Sequence, residues 1–218
     1  MKFYKIYLLF LVLIISVQCN KPNFSKYRQE RIAIGIFFHG LLPSLSEPPP
    51  APPDDTFVDN KDGTISLYDE ETYEFVNFKK CLQGQIYRIE QNDCQGTGDS
   101  SDNYGANLLS YCNTDDNSCN ETKNYTLIST DSSQIYLSCK NDTLNNKTWR
   151  VIDLSYLTSM LKETEFDSFY AEYPRNGHCW TNKASSSDSG QAYYVSYIYG
   201  SQTGRKTLTK YLLCMESK

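Results

Sequence analysis

The sequence predicts a mainly β protein: a disulfide-stabilised antiparallel sheet or sandwich with one short helix. Three observations carry this expectation. Seven of the eight cysteines in 218 residues are spread behind an apolar leader, and in an oxidising compartment that reads as a disulfide framework. Tyrosine is frequent, with 18 residues against 2 tryptophans, and its β propensity and tolerance of partial exposure suit half-wet sheets. Short alternating runs, separated by Asn-, Asp-, Ser- and Thr-rich linkers, have the length of strands.

The chain begins with Lys2 and Lys5 and an apolar run from Ile6 to Val17. That is the pattern of a signal peptide over residues 1–19, and the run is short for a bilayer span. Val17 and Cys19 are small enough to flank a cleavage site. Removing residues 1–19 takes two lysines and no acid, so the formal charge moves from -5 to -7. The expected destination is outside the cell or a lysosome-like compartment. Acidic residues are scattered and no basic tract exists, which argues against a general nucleic-acid surface. No further apolar stretch is long enough to span a membrane.

Residues 20–53 read as a polar, proline-rich lead-in with one strand, Ile32 to Phe38. Six prolines between Pro43 and Pro53 exclude helix and central strand there. Residues 54–218 read as one β-rich, disulfide-linked domain. Asn60 to Ile65 echoes a calcium loop, but Val58 stands where the first carboxylate is required, so a turn at Asp62-Gly63 is expected instead. Strands follow at Thr64–Tyr68, Phe75–Phe78, Gln85–Glu90, Asn107–Cys112, Tyr125–Ser129 and Gln134–Cys139. Gln-Ile-Tyr at 85 and 134, and Gln-Ala-Tyr at 191, hint at a duplicated strand unit. Leu154, Leu157, Met160 and Leu161 recur at helical spacing behind Asp153, a candidate cap. Phe166 and Phe169 extend that face and Pro174 ends it. Gln191–Tyr199 alternates, with Tyr193, Val195, Tyr197 and Tyr199 on one face. It is expected to turn at Gly200–Gly204 and return through Lys206–Cys214 as a hairpin.

With the leader gone, the disulfide candidates are Cys81, Cys94, Cys112, Cys119, Cys139, Cys179 and Cys214. Seven is odd, so one thiol is left over. Five of them lie between Cys81 and Cys139, so that stretch cannot close on itself. No pair has the spacing of roughly two to four residues of a zinc knuckle, and histidine is nearly absent. Neither a metal nor a cofactor is expected. Sequons for N-glycosylation begin at Asn23, Asn124, Asn141 and Asn146.

The two histidines, His39 and His178, set the limits of any acid–base chemistry. His39-Gly40-Leu41-Leu42-Pro43 resembles the first active-site motif of the secreted T2-type ribonucleases, and Phe169 to Cys179 resembles their second. The resemblance implies His39 as acid or base, Glu172 as electrostatic partner and Arg175 as the phosphate-binding cation. Ala171 and Asn176 occupy the second motif's histidine positions. The leader, linkers and tyrosine content also resemble small secreted cysteine-containing families of social amoebae. The expected function is extracellular binding of a glycan or a cell-surface protein, without catalysis. A divergent T2-like ribonuclease is the alternative.

Overall fold

The computed structural model describes residues 51–217. The leader, the Ile32–Phe38 strand, Asn23 and His39 lie outside the described residues. The chain forms a mixed α/β domain. In order come β1 (Phe57–Asp59), β2 (Thr64–Asp69), β3 (Glu74–Lys79), β4 (Leu109–Ser110), α1 (Gln134–Lys140), β5 (Trp149–Val151), α2 (Leu154–Met160) and α3 (Phe166–Phe169). Then follow β6 (His178–Ala184), β7 (Gln191–Ser196), β8 (Gly200–Arg205), β9 (Thr209–Leu212) and β10 (Cys214–Glu216). Short 3-10 segments lie at Ser100–Gly105 and Leu144–Asn146. The helix content exceeds the one short helix expected.

The strands make two five-stranded sheets, ordered β1-β2-β3-β10-β5 and β4-β9-β6-β7-β8. Pairing is antiparallel except between β6 and β9. Only Leu213, fully buried, separates β9 from β10. The end of the chain therefore steps from one sheet directly into the other.

The alternation in β2 and β3 does what it predicts. Ile65 and Leu67 point inward with Val76 and Phe78, and β2 pairs with β3 along its full length. At the preceding turn Lys61 and Gly63 take positive φ, and Asp62 Oδ1 accepts the Thr64 N–H at 2.9 Å. A side chain at Gly63 would meet the Tyr87 ring as well as backbone strain.

Four expected strands are corrected. Gln134–Cys139 is the helix α1. Ser133 caps it by accepting the Tyr136 N–H at 3.2 Å. Ile135 and Cys139, both fully buried, are four apart and share one helical face. Gln85–Glu90 is a loop in which Ile86 and Ile89 face solvent, held by isolated bridges rather than a ladder. Tyr125–Ser129 makes only such bridges, at Thr126 and Leu127. Asn107–Cys112 shrinks to the two residues of β4. The three Gln-x-Tyr sites thus lie in a loop, a helix and a strand, which removes the case for a repeat.

Helix α2 forms where the leucine spacing places it, with Leu157 and Met160 buried. Asp153 stands at its N-cap but makes no capping bond. Its carboxylate is held by Arg150 in two bonds of 2.7 Å and by the Asn182 amide. Phe166 and Phe169 belong to the separate helix α3.

The terminal hairpin is also corrected. The partner of β7 is β8, paired from Gln191↔Arg205 to Ser196↔Gly200, so the expected turn is itself a strand. Its glycines misled because one supplies a positive φ in open space and the other serves packing. Gly200 has φ +68, and a side chain at Gly204 would press within 3.0 Å of the Tyr194 ring.

Successive residues on a strand face opposite ways, and here both faces of the second sheet are covered. Cys179 and Val195 join Phe57, Ile65, Leu157 and Phe166 in one core cluster. Trp180, Ala192 and Leu212 join Ile135, Cys139 and Trp149 in another. Two buried ion pairs, Lys80–Asp59 at 2.7 Å and Lys79–Asp142, brace the end of β3. Burial alone would raise the Asp59 carboxyl. Hydrogen bonds from Lys80, the Lys61 N–H and Asn92 outweigh it and hold the group below its ordinary value.

Three disulfides form: Cys81–Cys94, Cys112–Cys119 and Cys139–Cys214. The surplus in the Cys81–Cys139 stretch is resolved by Cys139 reaching Cys214. Cys179 is the leftover thiol, fully buried. Burial pushes its pKa up to about 12. A thiolate is the reactive form, so the native protein is expected to leave Cys179 unmodified by a maleimide. Guanidinium should expose it, with label on the Cys179 peptide by mass spectrometry. Rapid native labelling would contradict the burial.

Candidate functional site

Of the residues of the ribonuclease-like motif, Glu172 and Arg175 lie within the described residues, and each is engaged with other partners. Glu172 is half-buried and its Oε1 accepts the Gln95 amide at 3.4 Å. Arg175 is exposed, and its Nη1 donates to Asp167 Oδ2 at 3.1 Å and to the Tyr197 hydroxyl at 3.0 Å. The same guanidinium lies over the Tyr197 ring, and that hydroxyl donates to Asp167 at 2.7 Å. No hydrogen bond or ion pair joins Glu172 to Arg175. His178 opens β6 beside the Tyr194 ring, 4.9 Å between centroids. Burial, helped by the Lys210 ammonium, pushes its pKa down and favours neutral imidazole.

The tyrosines of the Gln191–Tyr199 run are split among different tasks. Tyr197 is tied into the Asp167–Arg175 knot and stacks near Phe166. Tyr199, 70% exposed beside exposed Ile198, stands at the hairpin tip. Tyr193 is half-buried. The register Tyr193↔Thr203 and Val195↔Ser201 places Tyr193 on the same sheet face as Ser201.

On that face lies an open groove between α2 and the β6–β8 strands, with polar groups set on a largely apolar surface. Ser155 and Ser159 are one turn apart on α2, and Lys162 follows three residues on. Opposite stand Asn182 and Lys183 of β6 and Ser201 of β8. The hydroxyls of Ser155, Ser159 and Ser201 make no hydrogen bond within the described residues. Thr158 instead returns its hydroxyl to the Leu154 carbonyl at 2.7 Å. Asp153 also lines the groove, but Arg150 and Asn182 occupy its carboxylate. Lys183 Nζ donates to the Asn124 carbonyl at the rim, at 2.5 Å. Free hydroxyls, an amide and two ammonium groups make a surface for a polar ligand, with a surplus of positive charge on an acidic protein.

Sequence reasoning missed this groove. Ser155, Ser159 and Lys162 have helical spacing, but nothing in the sequence brings Ser201 to them. It also missed Lys206 and Lys210. Lys206 is fully buried and donates to the carbonyls of Asp116 and Ser189 and to Asn120 Oδ1. Lys210 lies 3.8 Å from the Tyr194 ring centroid and 5.2 Å from that of Trp180, a cation–π arrangement. Burial lowers the pKa of both.

Among the described residues, no cluster of three or more His, Cys, Asp or Glu side chains could hold a metal ion. No helix there is long and apolar enough to cross a membrane. No protein-family model, no curated protein and no solved structure matches this chain.

Proposed function

We propose that this chain is a secreted glycoprotein that binds an extracellular glycan or a glycan-bearing cell-surface protein through the groove between α2 and β6–β8. The observation that carries this reading is the set of unengaged hydroxyls, Ser155, Ser159 and Ser201, facing Asn182, Lys162 and Lys183 across open space. Saccharides are recognised by such fixed donors and acceptors, with an aromatic flank supplying apolar contact. Tyr193 lies on the same sheet face. The lysines, with Asp153 already neutralised, favour an acidic sugar. The ribonuclease alternative rests on His39, Glu172 and Arg175. Glu172 and Arg175 are engaged elsewhere, so the binding reading is preferred.

The test is a panel of immobilised neutral, uronate-bearing and sulfated oligosaccharides probed with the secreted protein. Acidic members are expected to bind best. Ser201→Trp, which fills the groove from an exposed strand position, and Lys162→Ala should each weaken binding by about tenfold, roughly 1.4 kcal/mol. Tyr199→Ala should leave it unchanged. Binding lost with Tyr199→Ala but kept with the groove substitutions would move the site to the hairpin tip. Binding to no member would overturn the glycan reading.

A further inference from the structure

Resting on the reading of this chain as a secretory glycoprotein, we propose that the Cys119–Thr126 loop carries its glycan at Asn124 alone. Asn120, which opens an equally valid sequon, stays unmodified in the folded protein. Asn120-Glu121-Thr122 satisfies the acceptor rule as fully as Asn124-Tyr125-Thr126 does. Chemistry at the two sites is identical. A bond forms between the asparagine Nδ2 and the anomeric carbon of the sugar. The bond from that carbon to the phosphate of a lipid-diphosphate oligosaccharide donor breaks, and Nδ2 loses a proton.

The fold separates the two. Asn124 is exposed, and its amide makes one long contact, 3.4 Å to Glu121 Oε1. Asn120 is 3% exposed. Its Nδ2 donates to Asn117 Oδ1 at 3.3 Å and to the Glu121 carbonyl at 3.1 Å. Its Oδ1 accepts from the buried Lys206 ammonium. A sugar on this nitrogen removes one of the two donors and needs space where the chain is packed. It also breaks the seat of Lys206, whose other acceptors are the Asp116 and Ser189 carbonyls. Glycosylation at Asn120 and the native Lys206 pocket therefore exclude each other. The transferase acts on chain that is still unfolded, so molecules modified at Asn120 fail to fold and are retained. Asn141 and Asn146, both exposed, have no such conflict.

The experiment is glycopeptide mapping of the full chain secreted from a eukaryotic host, with enzymatic deglycosylation in heavy-oxygen water. Each formerly glycosylated asparagine becomes a labelled aspartate. Label is expected on Asn124 and not on Asn120. Thr122→Ala, an exposed position that removes only the Asn120 sequon, should leave the mass of the secreted protein lighter by the side-chain change alone. Asn124→Gln should remove one whole glycan without moving it to Asn120. Label on Asn120 in secreted protein would overturn the proposal, as would loss of a glycan in Thr122→Ala. Unlabelled Asn124 beside labelled Asn141 or Asn146 would overturn it too. Absence of label at every sequon would instead overturn the glycoprotein reading itself.

Discussion

Replacing Cys139 and Cys214 together by alanine is expected to lower stability by about 4 kcal/mol, a large fraction of the roughly 5–15 kcal/mol by which native domains are stable. The bridge closes a loop with a sequence separation of 75. The loop entropy it removes from the unfolded chain grows with the logarithm of that length. The bridges Cys81–Cys94 and Cys112–Cys119 span 13 and 7 residues and should contribute about 2–3 kcal/mol each by the same argument. Position adds to length. Cys139 is in the last turn of α1 and Cys214 opens β10, directly after the chain crosses from one sheet to the other. Both sulfurs are fully buried in the cluster around Trp149 and Trp180, so alanine also leaves small voids. The Gln83 amide, 3.0 Å from Cys214 Sγ, loses a contact. Urea unfolding monitored by tryptophan fluorescence gives the midpoint shift. The Cys112→Ala, Cys119→Ala pair is the internal comparison. A smaller loss from the long bridge than from the short one would mean that the unfolded chain already holds α1 near the C-terminus.

The same bridge shows what could be read in the sequence. The parity argument established that the Cys81–Cys139 stretch cannot close on itself and leaves at least one cysteine free or paired outside it, because counting needs no geometry. Which one, and to where, depends on α1, and there the local signal pointed the wrong way. Ile135, Leu137 and Cys139 fit a strand's alternation, while the helix is specified by Ser133 as cap and by the four-residue spacing of Ile135 and Cys139. Strands β2 and β3 were legible because their apolar residues Ile65, Leu67, Val76 and Phe78 alternate and face a single core. Strand β8 was not. Gly200 to Arg205 is an edge strand without one large apolar residue, and its partner β7 fixes its conformation. The groove is invisible for a related reason. Ser155 and Ser201 are ordinary surface serines until α2 packs on the second sheet. The Asn120 triplet is a fifth sequon that the sequence reading passed over, and only Lys206, distant along the chain, explains why its side chain is buried.

Lys206→Ala is the second large effect expected, about 3 kcal/mol, because a fully buried ammonium would leave three acceptors behind. The three N–H bonds of Lys206 go to the Asp116 carbonyl at 2.6 Å, the Ser189 carbonyl at 2.7 Å and Asn120 Oδ1. None goes to a carboxylate, so the charge is stabilised by dipoles rather than by an ion pair, with the Tyr111 ring 5.7 Å away. Two of the acceptors lie in the connection between β4 and α1 and the third, Ser189, in the β6–β7 loop, and the lysine joins the two loops. Lys206→Met keeps the apolar stem and loses the donors. It should recover the packing part of the loss and no more, leaving a deficit of about 2 kcal/mol. The pH dependence separates charge from packing. Burial lowers the folded pKa of Lys206, against the pull of Asp116, Asp115 and Asp188. The unfolded chain therefore holds this proton more tightly, and the contribution of Lys206 to stability rises with pH across the window from the folded value up to the free-lysine value. Lys210 contributes with the same sign. In Lys206→Met that alkaline rise should become shallower without vanishing. An unchanged slope, with stability lost all the same, would show that Lys206 acts through its stem and not through its charge.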